Sequence, residues 1–265
     1  MNKIKYKNLI KQKGNKPITC LTAYTKSIAK ILDGEVDIIL VGDSLANVLY
    51  DMKNTQEVTI KMMKDHGKAV CNNVKKSITV IDMPYNTYTN NKQALKNAKS
   101  ILSHTKADLV KLETDGKNFD VIKYLINKKI NVVGHIGVTP QKFKHFKKMK
   151  SVGSNKRETN SLISLAINLQ EAGVKFIVLE CIKDLVAKKI TNTLTIPTIG
   201  IGSSKYCDGQ VLVINDLLNL DITTKKPRFI KTYTNLNKII SHAVKKFTKE
   251  VVNKKFPNNN HSYKL

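Results

Sequence analysis

Five short apolar runs in this chain end on a side chain that can titrate. Val41-Gly42-Asp43-Ser44 closes one and Ile81-Asp82-Met83-Pro84 the next, followed by Lys111-Leu112-Glu113, Gly134-His135 and Leu179-Glu180-Cys181. Taken singly, an acid after an apolar run usually caps a helix or turns the chain. Recurrence at five consecutive runs points instead to convergence on one pocket, because the strand ends of a parallel barrel gather on one face. Asp43, Asp82 and Glu113 form a set of hard oxygen donors suited to Mg²⁺, which takes a few carboxylates and keeps water or substrate oxygens in its other positions. Zinc would want more His or Cys, and only His135 is in the neighbourhood. Mg²⁺ held in this way can grip a 2-oxo acid through its carboxylate and ketone, making the carbon beside the ketone acidic. Glu180, separate from the metal candidates, is placed to take that proton. Lys111 is suited to neutralising the developing enolate oxygen. Its alternative role, a Schiff-base nucleophile, is disfavoured by Glu113, since a metal and an imine would duplicate one electron sink.

The elements that must position these groups alternate. Strand patterns run over Ile18–Ala23, Ile38–Val41, Ser77–Asp82, Leu109–Leu112, Asn131–Gly134, Phe176–Leu179, Thr195–Gly200 and Gln210–Ile214. Between them amphipathic stretches predict helices over Thr25–Leu32, Thr59–Asn73, Lys92–Ser103, Phe119–Lys128 and Ser161–Ala172, the last ending before Gly173. Eight strands in this rhythm predict an α/β fold, a single (β/α)₈ barrel of the TIM type, rather than an open doubly wound sheet. A dinucleotide-binding sheet has a further difficulty: no G-x-G-x-x-G follows the first strand, and Gly200-Ile201-Gly202 comes late. An opening helix within Lys3–Gln12 is expected to cap the barrel bottom, and a closing helix is expected around Leu236–Val252. No Pro-, Gly- or Ser-rich linker divides the chain, so residues 1–256 read as one catalytic domain. Residues 257–265 read as a polar, flexible tail.

At 265 residues the chain has the usual size of one such barrel. Its 41% hydrophobic content supplies a core, but the longest apolar runs are strand-sized, which excludes membrane-spanning helices. The basic start, Met1 to Lys5, lacks the apolar stretch of a secretory signal, so a cytoplasmic location is expected. The net charge of +26, from 46 basic and 20 acidic residues, raises polyanion binding as a role. Only Arg157 and Arg228 are arginine, however, and the lysines are spread along the chain, so no specific nucleic acid is expected. The run Lys142 to Lys150, with Phe143 and Phe146 interleaved, reads as a solvated loop; attraction of anionic substrates or stacking on RNA are its other readings. Cys20, Cys71, Cys181 and Cys207 are too dispersed for a zinc knuckle and read as reduced, buried thiols.

At the strand-end residues the sequence resembles the ketopantoate hydroxymethyltransferase family. The likeness runs from about Ile18 to Phe229 and rests on motifs in family order. These are Thr22-Ala23-Tyr24, Val41-Gly42-Asp43-Ser44-Leu45, Asp82-Met83-Pro84-Tyr85, Val110-Lys111-Leu112-Glu113, Gly134-His135-Ile136-Gly137-Val138-Thr139-Pro140-Gln141, Leu179-Glu180-Cys181, Ile199-Gly200-Ile201-Gly202 and Asp208-Gly209-Gln210. The resemblance implies a (β/α)₈ barrel, one Mg²⁺ per subunit, a homo-oligomer (commonly a decamer), and 5,10-methylenetetrahydrofolate as co-substrate. Its implied reaction moves a one-carbon unit onto 3-methyl-2-oxobutanoate, giving 2-dehydropantoate by way of a Mg²⁺-stabilised enolate, the first step of pantothenate synthesis. By family role Asp43, Asp82 and Glu113 match the metal site. Asp43, Ser44, Asp82 and Lys111 match contacts to the oxo acid, and Glu180 matches the proton acceptor. His135 falls in the pocket motif and is given a polar, orienting role. The chain departs from the family pattern at Lys147-Lys148-Met149 through Gly153, at Gly202-Ser203-Ser204 and at Asn215-Asp216, positions tied to the loop over the site and to folate contacts. The alternative readings are another Mg²⁺ 2-oxo-acid barrel of the phosphoenolpyruvate-mutase and isocitrate-lyase type, whose Lys-Lys-Cys-Gly-His signature is not found here, and a non-catalytic basic binding protein.

Overall fold

The computed structural model describes residues 3–144, 150–220 and 227–263. It divides into two compact units, one reaching to Val213 and one beginning at Ile214. The first unit holds eight strands: β1 (Ile18–Thr22), β2 (Ile38–Val41), β3 (Ile78–Asp82), β4 (Leu109–Glu113), β5 (Val132–Gly137), β6 (Phe176–Glu180), β7 (Thr198–Ile201) and β8 (Gly209–Leu212). They form a closed barrel in sequence order. All pairings are parallel, and β8 returns to β1 with Ile18 opposite Gly209 and Leu21 opposite Leu212.

Helices occupy the crossovers: α1 (Lys3–Ile10) before the barrel, then α2 (Lys26–Leu32), α3 (Leu45–Tyr50), α4 (Ile60–Cys71), α5 (Asn91–Thr105), α6 (Phe119–Asn127), α7 (Lys156–Ala172) and α8 (Asp184–Thr193). Their starts are set by side-chain caps. Thr25, Thr59, Asn90 and Asn155 each accept a hydrogen bond from a backbone N–H in the first helical turn, supplying a partner that the helix itself lacks. At Asn155 the cap is reciprocal, since Glu158 reaches back to accept from Gly153 N and Ser154 N, both at 2.9 Å. That box moves the start of α7 to Lys156, ahead of the expected Ser161.

Two strand boundaries also shift for local reasons. Residues 195–197 were expected in β7, but Thr195 N and Ile196 N donate to Gln170 Oε1, and Pro197 has no N–H to give a ladder. β5 runs on to Gly137, where a positive φ of 102° ends it.

The period of two along each strand explains both core and site. Side chains pointing inward from the lower barrel, including Cys20, Ile38, Ile78, Val80, Leu109, Val133, Phe176 and Val178, form one apolar cluster. Leu9 of α1 joins it with Tyr6 and Ile10 packed alongside, so this helix closes the barrel bottom as expected. Two residues further along the same faces the pattern turns polar. Asp82 follows Val80, Lys111 and Glu113 follow Leu109, His135 follows Val133, and Glu180 follows Val178. The opposite faces, with Ile39, Ile81, Val110, Leu112, Ile177 and Leu179 fully buried, pack beneath the helices.

The second unit contains α9 (Ile214–Leu218) and α10 (Leu236–Val252). Within it Tyr233 N donates to Leu217 O at 2.9 Å, and Phe256 packs against Phe247 and His261. No helix among the described residues is long and apolar enough to cross a membrane. The four cysteines are free thiols.

Barrel closure leaves no room at Gly209: a Cβ there would lie 2.4 Å from Ile18 O and 2.8 Å from Ile199 Cδ1. Gly209→Ala is therefore expected to destabilise the barrel by about 2 kcal/mol or more. The measurement is urea unfolding, with a lower midpoint and an unchanged slope.

Candidate active site

The charged upper layer is tied into two chains of contacts. In the first, Asp82 at the end of β3 accepts a hydrogen bond from Asp43 N at 3.0 Å through Oδ2. Its Oδ1 lies 3.0 Å from Lys111 Nζ, an ion pair that leaves this buried oxygen without a directed hydrogen bond. Lys111 Nζ is 3.2 Å from His135 Nδ1. An ammonium has no lone pair, so Nδ1 must be the acceptor and the neutral ring carries its proton on Nε2. That Nε2 lies 3.1 Å from Glu180 Oε2, a close contact without a directed hydrogen bond. The Glu180 side chain is 17% exposed and that of His135 only 3%, so Glu180 is the member of this chain that a bound molecule can reach.

The second chain runs through Gln141, which is 2% exposed. Its Nε2 donates to Asp43 Oδ2 at 2.7 Å and to Met83 O at 3.0 Å, while its backbone N donates to Glu113 Oε2 at 3.1 Å. Its Oε1 accepts from the Tyr88 hydroxyl, which fixes the amide orientation. Ser44 stands at the start of α3 without capping it; its hydroxyl pairs with the Tyr24 hydroxyl at 2.8 Å. Gly42 permits this turn, since a Cβ there would lie 2.8 Å from Ser44 Oγ.

Among the described residues of this pocket, four carboxylates share the ammonium of Lys111. Burial, with the charge of Asp82 behind it, pushes the Asp43 carboxyl up to about 7. Burial and the charge of Asp43 push Glu113 well above the usual carboxylate range. Burial pushes Glu180 up to about 7, with Lys111 opposing. His135 is driven well below the ordinary imidazole value by burial and by Lys111, which keeps the ring neutral. Burial by itself would lower Lys111, but Asp82, Asp43 and Glu113 together hold it above the usual lysine value. A protonated amine is unsuited to imine formation, which disfavours the Schiff-base role.

This surplus of negative charge is what a divalent cation neutralises, and the donors are all oxygens, the kind Mg²⁺ takes. The described residues contain no group of three His, Cys, Asp or Glu side chains spaced to enclose a metal. Asp43 and Asp82 instead form an adjacent pair, with Glu113 beyond the Gln141 bridge. One or two carboxylates, completed by water and substrate, is the arrangement Mg²⁺ favours over an all-protein cage.

The family profile described as ketopantoate hydroxymethyltransferase matches residues 3–259. The chain is 50% identical over 263 residues to 3-methyl-2-oxobutanoate hydroxymethyltransferase of Pelagibacter ubique, covering 99% of this chain and 100% of that protein. The enzyme of the same name from Rhizobium etli is 43% identical, over 95% of this chain and 92% of that protein. The chain belongs to the ketopantoate hydroxymethyltransferase family. Solved barrels share its fold at much lower identity. Phosphoenolpyruvate phosphomutase from Streptomyces platensis subsp. rosaceus gives a TM-score of 0.61 at 9% identity, covering 94% of this chain and 87% of that one. A phosphonopyruvate hydrolase in complex with oxalate and Mg²⁺ gives 0.59 at 11% identity, covering 97% and 93%.

All the candidate residues, Asp43, Ser44, Asp82, Lys111, Glu113, His135 and Glu180, lie at the same end of this family barrel. Gln141 and Tyr88 were not singled out from sequence. Gln141 ends the motif that begins at Gly134, yet a neutral amide in a loop carries no signal of its own; its role exists only through the two acids it bridges. Two of the family departures have structural accounts. Ser203 Oγ donates to Leu179 O at 2.8 Å and accepts from Ile182 N at 3.0 Å, and Ser204 Oγ donates to Asp184 Oδ1 at 2.8 Å, so both close the turn after β7 onto β6 and α8. Asn215 and Asp216 lie in α9 of the second unit. Residues 145–149, which carry most of the basic run and the start of the altered loop, lie outside the described residues. Lys142 pairs with Asp115 at 2.5 Å.

Gln141→Ala would leave Asp43 Oδ2 and Met83 O without their buried donor. The expected cost is about 1–3 kcal/mol in urea unfolding. Gln141→Glu, which adds a further carboxylate to the cluster, is expected to be worse.

Proposed function

We propose that this chain transfers a hydroxymethyl group from 5,10-methylenetetrahydrofolate to 3-methyl-2-oxobutanoate. One water is consumed, and 2-dehydropantoate and tetrahydrofolate are formed. The observation that carries the reading is the partly exposed Glu180 carboxylate, linked through His135 and Lys111 to the Asp43–Asp82 pair. A proton acceptor and a cation-binding edge thereby share one pocket.

Asp43 and Asp82 would hold one Mg²⁺ per subunit, with Glu113 beyond them. When bound, the ion withdraws electron density from the ketone and carboxylate of the oxo acid and makes its C3 hydrogen acidic. Ser44 and Lys111 bind the polar end of the substrate, and the Lys111 ammonium faces the oxygen on which negative charge develops. Glu180 takes the C3 proton, and the carbon left with the electron pair attacks the one-carbon unit of the folate. The neutral His135 lies beside that carboxylate, its Nε2 3.1 Å from Glu180 Oε2. The expected setting is a cytoplasmic homo-oligomer. Support for association comes from α10, where Ile239, Ile240, Val244 and Phe247 are exposed.

The test is Mg²⁺-dependent exchange of the C3 hydrogen of 3-methyl-2-oxobutanoate for deuterium without folate, followed by NMR. Only the carboxylate form of Glu180 accepts a proton, so the rate should fall about tenfold per pH unit on the acid side of its pKa. That pKa is about 7 with protein charges alone, and added positive charge favours the ionised form, so the limb is expected below that value. Glu180→Gln should abolish exchange while retaining Mg²⁺ binding, and its melting temperature should not fall, because a buried carboxylate is replaced by a neutral isostere. Asp82→Asn should weaken Mg²⁺ binding, read by calorimetry. Unchanged exchange in Glu180→Gln would remove Glu180 from the reaction.

A further inference from the structure

The two reactants need separate seats, and the pocket described so far provides one. Beside it, between the loops that follow β3, β4 and β5, lies a cavity of about 390 Å³. Its volume falls within the range of small-molecule sites. Glu113 and Gln141 form its inner wall, so it shares a partition with the acid cluster. Neither Lys111 nor Ser44, the groups assigned above to the polar end of the oxo acid, lines it.

Its remaining walls suit a different chemistry. Tyr85 and Tyr88, both half-buried, supply flat aromatic surface, and the Tyr88 ring is held by its hydroxyl bond to Gln141. Outside them stand Lys117 and Lys142, both exposed. Lys142 pairs with Asp115, whose side chain is 38% exposed, a solvent-accessible contact that another carboxylate can replace. Aromatic walls within and cations at the rim match a molecule with a planar heterocyclic body and an anionic tail.

We infer that this cavity seats the folate carrier, with the pterin against Tyr85 and Tyr88 and the glutamate carboxylates toward Lys117 and Lys142. The inference rests on the folate-dependent reading above. It places the carrier on the Glu113 side of the mouth, so the one-carbon unit approaches the substrate carbon from the side of β3 to β5.

Tyr85 is the residue to vary, because Tyr88 also orients Gln141 and would disturb the acid cluster. Two measurements are made on the full chain: equilibrium dialysis with tetrahydrofolate, and the folate-independent deuterium exchange. Tyr85→Ala is expected to weaken tetrahydrofolate binding and raise the KM for methylenetetrahydrofolate by about tenfold, the loss of one aromatic stacking contact. Deuterium exchange and the KM for the oxo acid should stay within about twofold of the parent. Lys117→Glu should weaken a triglutamyl folate more than a monoglutamyl one. Unchanged tetrahydrofolate affinity in Tyr85→Ala overturns the assignment, whether or not exchange occurs. A raised oxo-acid KM at unchanged folate affinity also overturns it and gives the cavity to the other reactant. Parent protein that binds tetrahydrofolate but exchanges no C3 hydrogen overturns the enzymatic reading and leaves the cavity assignment to stand or fall on the dialysis result.

Discussion

Charge balance inside the barrel mouth is the constraint on which the rest of this structure depends. Four carboxylates are withdrawn from water around the ammonium of Lys111, an arrangement whose desolvation cost must be met by donors placed in advance. Asp43 N, Gln141 N and Gln141 Nε2 supply three of them, and Lys111 contributes to Asp82 and His135 in turn. Burial holds Asp43, Glu113 and Glu180 above the usual carboxylate range, and neighbouring carboxylates add to the rise at Asp43 and Glu113. A site with that surplus is electrostatically prepared for a divalent cation and for the anion that the cation brings with it.

The barrel separates this strained layer from the layer that stabilises it. Below the acids the interior is entirely apolar at its core, and α1 seals it from the other end. Lys13 adds a clasp at that end: its Nζ reaches Asp208 Oδ2 at 2.7 Å, and the same oxygen accepts from Thr198 N at 2.8 Å, joining the approach to β1 with β7 and β8. Such contacts keep the strand ends in register, so the upper layer can carry unfavourable charge without loosening the fold.

The overall charge and the local charge have opposite signs. A chain carrying +26 presents an attractive field to anionic reactants at long range. The pocket gathers carboxylates around the ammonium of Lys111, so its local field runs against that of the surface. Lys117 and Lys142 at the rim of the neighbouring cavity are where surface field and pocket meet.

The period-two alternation, the number of strands and the identity of the strand-end groups were all legible in the sequence, because a parallel barrel converts those local features directly into position. Val80 and Asp82, or Leu109, Lys111 and Glu113, must share a face whatever surrounds them. Helix starts were less legible where a cap such as Asn155 with Glu158 acted across several residues, and β7 began late because Gln170, far away in the chain, took two of its donors. Tertiary structure by itself decided that Gln141 bridges Asp43 and Glu113, that His135 turns Nδ1 to Lys111 and Nε2 to Glu180, and that Tyr85, Lys117 and Lys142 enclose one cavity. Residue type and spacing declare which groups can titrate and which face of a strand they occupy. Hydrogen-bond partners across 98 positions of sequence, as between Gln141 and Asp43, depend on how the loops above the barrel close, and no local pattern encodes that.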